Sequence, residues 1–257
     1  MKFQALLHAL SDLFFPRNCI QCGEAVESSC YQYICSACSD QLTLCLPPNC
    51  NTCGYPFLGD WVIGKSCPHC TDLDPYFNKG YTLFLSKGVG RQLIHSLKYS
   101  NGRFLLKDLK TIIKQLPHLE KIFQNSVLVP VPLHPTKLRE RGFNQSLQFA
   151  NLIHELLKED TKIAQILTRK KYTQSQTTLS KEKRENNVKN AFELTPKIKL
   201  DFSKKYILLD DVFTTGHTLN ECSKVLKQSG IQSIELLSIA VSYTHLTLPT
   251  NGTVVVA

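Results

Sequence analysis

Apolar positions change period along this chain, and each change marks an element. Met1 to Phe15 sets Phe3, Leu6, Leu7, Leu10, Leu13 and Phe14 on one helical face, which predicts an amphipathic helix over residues 1–15. That stretch carries His8 and Asp12 and no small-residue cleavage site, so it does not read as a signal peptide, and it is too short to span a bilayer. From Tyr81 to Leu85 the pattern predicts a short strand, then after Gly88 a helix with Leu93, Ile94 and Leu97 inward and Arg91 and Lys98 outward. Arg103 to Leu116 reads as a second amphipathic helix. Val127 to Pro132 is a buried strand candidate weakened by its prolines, and Leu147, Ala150, Ile153 and Leu157 predict a further helix. Ile163 to Leu167 and Ser233 to Val241 complete the expected strands.

The most informative run is Tyr206 to Thr218. Tyr206, Ile207, Leu208 and Leu209 can be buried on both faces, as a central parallel strand is, and the apolar run stops at Asp210 and Asp211. In open α/β sheets ligands sit beyond the carboxyl ends of strands, so the acid pair is expected in a binding crevice. Next come Thr214, Thr215, Gly216, His217 and Thr218, then Leu219, Cys222, Val225 and Leu226 at helical spacing up to Gly230, a C-terminal cap signal. A strand, a small hydroxylated loop and a helix start make a phosphate cradle, because backbone N–H groups and the helix dipole both favour an anion. The acids would repel that phosphate, so they are expected to hold hydroxyls or a hydrated cation beside it; a 5-phosphorylated ribose offers such groups. A basic loop, Leu133 to Gln145, also follows a strand and precedes a helix. The planar fork of arginine suits pyrophosphate oxygens, which makes Arg139 and Arg141 candidates, with Lys137 as a softer contact.

Charge separates the chain into two parts. Residues 1–78 carry 3 Lys+Arg against 7 Asp+Glu, and residues 79–257 carry 27 against 14, so the second part favours anionic partners. Ten of the 11 cysteines precede residue 71. Eight form the pairs Cys19/Cys22, Cys35/Cys38, Cys50/Cys53 and Cys67/Cys70. Without a secretory signal, such spacing argues for metal in a reducing compartment rather than for disulfides. Two thiolates from one tight turn and two from the next complete a tetrahedral site, so sequential pairing predicts two structural Zn2+ sites in a double zinc ribbon over residues 16–78. Gly23 and Gly54, each following a second cysteine, suit the turns. Iron–sulfur ligation is the chemical rival, but it leaves the ribbon-like duplication unexplained. Cys30, Cys45 and Cys222 are expected to be ordinary buried thiols, and His69 a bystander.

The Tyr206 to Thr218 run resembles the phosphoribosyl pyrophosphate (PRPP) motif of type I phosphoribosyltransferases: apolar residues, two acids, two further residues, then Thr-Thr-Gly-x-Thr. The resemblance implies that Asp210 and Asp211 bind the ribose hydroxyls and that Thr214 to Thr218 wrap the 5-phosphate, with Mg2+ accompanying PRPP. The four cysteine pairs, Val-Pro-Val-Pro-Leu leading into Arg-Glu-Arg-Gly-Phe-Asn-Gln, and the acid-pair loop together resemble the ComF family. That resemblance implies an α/β fold: a type I phosphoribosyltransferase-like parallel sheet flanked by helices over residues 79–241, preceded by a small cysteine-rich zinc-ribbon module. It also implies a cytoplasmic bacterial protein of natural transformation, acting on incoming single-stranded DNA beside a competence helicase or other transformation proteins. The alternative is an active Mg2+-dependent phosphoribosyltransferase, amidophosphoribosyltransferase-like or base-transferring, although no side chain stands out as a general base.

Residues 168–190 are polar and basic, with 7 Lys+Arg against 2 Glu. The family resemblance, carried by Thr173 to Gln176, Leu179, Arg184 and Asn187, implies a loop that closes over the ribose. A basic segment with Tyr172 as a stacking platform equally fits a single-strand clamp, and the sequence leaves both open. Residues 242–257 do not continue the resemblance; they read as a tail foreign to the fold, although Asn251-Gly252 is a hairpin signal.

Overall fold

Strands form where apolar residues run without a break, and helices form where they recur every three or four. The structure, a computed structural model, describes residues 17–57, 67, 70, 72–99, 102–157, 161–172 and 188–242. The expected helix over residues 1–15, residues 173–187 of the basic segment 168–190 and residues 243–257 lie outside the described residues.

The elements in chain order are α1 (Ser36–Ser39), β1 (Lys79–Ser86), α2 (Gly88–Tyr99), a 3₁₀ turn (Gly102–Leu105), α3 (Leu106–Lys114), a second 3₁₀ turn (Pro117–Leu119), α4 (Glu120–Phe123), β2 (Ser126–Pro130), α5 (Pro135–Arg141), α6 (Gln145–Leu156), β3 (Thr161–Ile163), β4 (Leu167–Arg169), β5 (Phe192–Leu194), β6 (Lys205–Phe213), α7 (His217–Gln228) and β7 (Ile234–Ser242). A five-stranded sheet has the order β1-β7-β6-β2-β3, with every pairing parallel. Helices α2 and α6 pack on it, burying Leu93, Ile94 and Leu97 from the first and Phe149, Ala150 and Ile153 from the second. Strand β6 is central, and Tyr206 to Leu209 are all buried, as a strand covered on both faces requires.

Four local expectations change. Strand β6 does not stop at the acids: its ladder runs through Asp210 and Val212 to Phe213, opposite Ser238, Ala240 and Val241 of β7. The expected strand Ile163 to Leu167 is instead a crossing point, because the chain leaves the main sheet after β3 and enters a separate antiparallel pair, β4 with β5. Ile166 and Leu167 are drawn there by burial against Val188, Ala191 and Phe192. The basic loop contains a two-turn helix, α5. Pro135 is preorganised for its first position, the His134 ring accepts a hydrogen bond from Thr136 N at 3.3 Å, and Gly142 ends it at φ 78°. Finally, Cys30 is exposed, whereas Cys45 and Cys222 are buried as expected, with both thiols pushed upward in pKa by burial.

The zinc-ribbon module shares the core of the sheet domain. Cys19, Tyr31, Ile34, Cys38 and Leu42 join one hydrophobic cluster with Phe84, Leu109 and Phe149. Buried Asp108 of α3 accepts hydrogen bonds from Gln32 N at 2.6 Å and Tyr33 N at 2.9 Å. The module also covers the outer edge of β1, with Cys45 N donating to Leu83 O and Leu85 N to Thr43 O, both at 2.9 Å. At Gly54, φ is 75° and an added Cβ would lie 2.6 Å from Thr82 N and 2.8 Å from the Tyr81 carbonyl carbon. Gly54→Ala combines a left-handed conformation with overpacking against backbone, so it is expected to cost about 2–4 kcal/mol. Thermal denaturation should show a fall of roughly 5–15 °C; an unchanged melting temperature would mean that the ribbon yields at this contact.

Candidate functional site

Each ribbon knuckle is built by a short turn. Gly23 N donates to Cys19 O and Gly54 N to Cys50 O, each at 2.8 Å, and both glycines have positive φ, at 81° and 75°. The eight cysteines gather as Cys19, Cys22, Cys35 and Cys38, and as Cys50, Cys53, Cys67 and Cys70. Within each set the sulfurs all lie within 4.8 Å of one another. Ligands about 2.3 Å from a common Zn2+ lie ~3.8 Å apart on a tetrahedron. The separations Cys22–Cys35 at 3.6 Å and Cys50–Cys70 and Cys53–Cys67 at 3.5 Å fit a single ion. A cluster with bridging sulfides would hold the thiolates further apart. Both are four-cysteine zinc-binding sites, and four thiolates leave no open position for catalysis.

A second site lies at the carboxyl end of the parallel sheet. Asp210 Oδ1 accepts from Ser146 Oγ at 3.2 Å and from Asp211 N at 2.9 Å. Asp211 pairs with Lys98 Nζ at 3.0 Å. Burial, reinforced by the neighbouring charge of Asp211, pushes the Asp210 carboxyl up to about 7. Thr214 and Thr215 turn the chain, and Gly216, left-handed at φ 78°, caps α7, whose first residues are His217 and Thr218. An added Cβ on Gly216 would lie 2.5 Å from Phe213 Cζ and 2.8 Å from Leu73 Cδ2. Helix α7 closes with a left-handed Gly230, as its sequence signal implied: Ile231 N returns to Leu226 O at 3.2 Å and Gly230 N to Lys227 O at 3.0 Å.

Beside the acid pair is an open cleft of about 480 Å³ lined by Lys98, Tyr99, Lys137, Glu140, Arg141, Phe143 and Tyr172. Lys137 and Arg141, four residues apart on α5, share the face toward it. Arg139 lies on another face, is exposed and does not line the cleft. A helix, unlike an extended loop, separates alternate residues in this way. Burial, with Arg169 and Arg141 nearby, lowers the pKa of Lys137. Tyr99 and Tyr172 are 63% and 53% exposed. Arg141 stands 5.8 Å from the Tyr99 ring centroid and Lys137 6.0 Å from that of Tyr172.

Two contacts to the acid pair are not legible in the sequence. Lys98 reads as an outward helical residue entering a basic loop where phosphate contact is possible, yet it meets Asp211, and Ser146 carries no signal of its own, yet it meets Asp210. Signals for these contacts are tertiary, since they depend on the end of α2 and the start of α6 meeting at the carboxyl end of β6.

Residues 10–72 match a family model described as a double zinc ribbon domain. The chain is 28% identical over 232 residues to competence protein F of Haemophilus influenzae, covering 88% of this chain and 98% of that protein. To the DNA utilization protein YhgH of Salmonella typhi it is 30% identical over 224 residues, 79% of this chain and 88% of the relative. Competence protein ComFC of Streptococcus pneumoniae is 24% identical over 205 residues, covering 74% and 86% respectively.

Proposed function

The chain belongs to the ComF family, and from that premise we propose that it serves DNA uptake by binding PRPP at the carboxyl end of its parallel sheet and by handling single-stranded DNA over the adjoining cationic cleft. The observation that carries this reading is the convergence of Asp210, Asp211 and the Gly216-capped start of α7 with Lys98, Lys137 and Arg141. Ionised carboxylates accept hydroxyls, so the acid pair suits the ribose diol, and the amides opening α7 suit the 5-phosphate. The cations of the cleft suit the pyrophosphate. Lys98, which neutralises Asp211 in the free protein, can exchange that carboxylate for a pyrophosphate oxygen. Mg2+ carried with PRPP would supply further neutralisation of the pyrophosphate charge, and Asp210 and Asp211 are the oxygen donors suited to its hydration shell. The names of the relatives, competence and DNA utilization proteins, support the biological setting. Exposed Tyr99 and Tyr172 beside lysine and arginine suit stacking bases and a phosphate backbone.

Two titrations test this. Calorimetry with Mg2+ and PRPP is expected to show one site, and the absence of both heat and a rise in melting temperature would end the PRPP reading. Affinity for a single-stranded oligonucleotide should fall steeply with salt. Lys137→Ala with Arg141→Ala should reduce the slope of log K against log salt by about 1.4, from ~0.7 per phosphate contact. An unchanged slope would place DNA binding elsewhere.

A second reading, an active phosphoribosyltransferase, has one observation in its favour. Asp210, poised at about 7, can accept the proton that a nitrogen acceptor releases as it bonds to the anomeric carbon and pyrophosphate departs. Acceptor-dependent release of pyrophosphate from PRPP is the readout that decides it.

A further inference from the structure

The segment joining the second zinc ribbon to β1 does more than connect them. It leaves Cys70, whose carbonyl accepts a hydrogen bond from Leu73 N at 3.1 Å, and runs past the amino end of α7. There Asn220 grips it with both side-chain atoms: Oδ1 accepts from Tyr76 N and Nδ2 donates to Asp74 O, each at 2.8 Å. Asn220 also donates its own backbone N–H to Gly216 O at 2.8 Å, which makes it part of the first turn that follows the phosphate loop. Leu73 fills the space beside Gly216 and Phe213. The far end is fixed on β7, with Asn78 N donating to Ile234 O and Ile234 N donating to Asn78 Oδ1, both at 2.8 Å. The strap is therefore held at a zinc ligand, at the loop and at the sheet.

We propose that Asn220 is a positioning residue through which the second zinc ribbon holds the 214–218 loop in its ligand-binding shape. The inference rests on reading that loop as the 5-phosphate cradle. A phosphate cradle works by presenting several N–H groups at fixed directions, and a shift of about 1 Å at such a site is costly. Leu73 and the two Asn220 hydrogen bonds restrain the loop and the first turn of α7 from the strap. On this reading the ribbon shapes the ligand site through the strap and not through its cysteines.

The test uses full-length, zinc-loaded protein. Asn220→Ala removes both side-chain bonds, Asn220→Asp keeps the acceptor for Tyr76 N but loses the donor to Asp74 O, and Leu73→Ala removes the packing beside Gly216. Hydrogen exchange of amides 214–220 without ligand and the Kd for PRPP with Mg2+ are measured for each. Asn220→Ala is expected to speed exchange at these amides at least tenfold and weaken PRPP binding about tenfold. Asn220→Asp should fall between it and the unsubstituted protein, and Leu73→Ala should move the same amides. A graded loss confined to these amides separates positioning from a general loss of stability, which would speed exchange throughout. Unchanged exchange at 214–220 in Asn220→Ala overturns the proposal, as does a loss spread evenly over the chain. If the unsubstituted protein fails to bind PRPP, the ligand reading falls, and the exchange data still decide whether Asn220 holds the loop. Cys70→Ser extends the test to the ribbon: if folded, it must loosen the same amides, and if it unfolds, the Asn220 variants carry the decision.

Discussion

Asp210→Asn is expected to weaken PRPP binding while raising the melting temperature of the free protein at pH 8. The two effects share one cause. The Asp210 carboxyl is pushed up to about 7 by burial and by Asp211, well above the ordinary carboxylate range near 4. Between those pH values the unfolded chain has released the proton and the folded chain retains it, so stability falls as pH rises through this window. Above pH 7 the folded protein carries a half-buried charge that its surroundings disfavour. Asparagine removes that charge and retains an Oδ1 that can accept from Ser146 Oγ and Asp211 N. A gain of about 3–6 °C at pH 8, shrinking towards pH 5, is expected by thermal scanning. Binding should suffer because hydrogen bonds to charged acceptors contribute roughly 1.5–3 kcal/mol each, so Asp210→Asn with Asp211→Asn should lose ~100-fold or more in affinity for PRPP. A lower melting temperature at pH 8 would show that the carboxylate stabilises the free protein. Undiminished affinity in the double variant would remove the acid pair from the site.

Zinc withdrawal is the second large effect. A structural zinc site supplies roughly 10–16 kcal/mol to folding at neutral pH, comparable to the whole stability of a domain at about 5–15 kcal/mol. Because Cys19 and Cys38 share a core cluster with Phe84 and Phe149, and Cys50, Cys53, Cys67 and Cys70 share one with Leu85 and Phe213, the loss cannot stay within the ribbons. A strong chelator is expected to lower the melting temperature by more than about 15 °C. Release should be biphasic. The first site exposes Cys22, whereas all four ligands of the second are buried, so a colorimetric zinc assay should see the first ion leave faster. Loss of both ions without a change in melting temperature would make the ribbons appendages and contradict the shared core.

Local chemistry made part of this protein readable in advance. Four repeated Cys-x-x-Cys turns identify their own partners, because chelation acts over a few residues and sequential pairing is the shortest closure. Strand β6 and helix α7 were legible because burial on both faces and a 3.6-residue period each leave strong patterns. Helix α5 was not, since its prolines and charges look like a loop until His134 and Gly142 are seen closing its two ends. Strands β4 and β5 are three residues each and join across a gap in sequence, too short for any period to show. The Lys98–Asp211 pair was hidden because lysine on a helix surface has no sequence signature that distinguishes solvent from a carboxylate.

The hydroxyl of Thr82 bears on how the chain assembles as it is synthesised. It donates to Cys53 O, 29 residues earlier, at 2.9 Å and meets Ser238 Oγ, 156 residues later, at 2.8 Å. Strand β1 thus has its ribbon-side neighbour long before its sheet-side neighbour β7 has been made. A growing chain that takes up zinc early closes short loops first, when their entropic cost is small, and keeps one edge of an aggregation-prone strand occupied while the rest is translated. Ribbons that close in this order would template the nascent sheet, so synthesis under zinc limitation is expected to lower the yield of native protein.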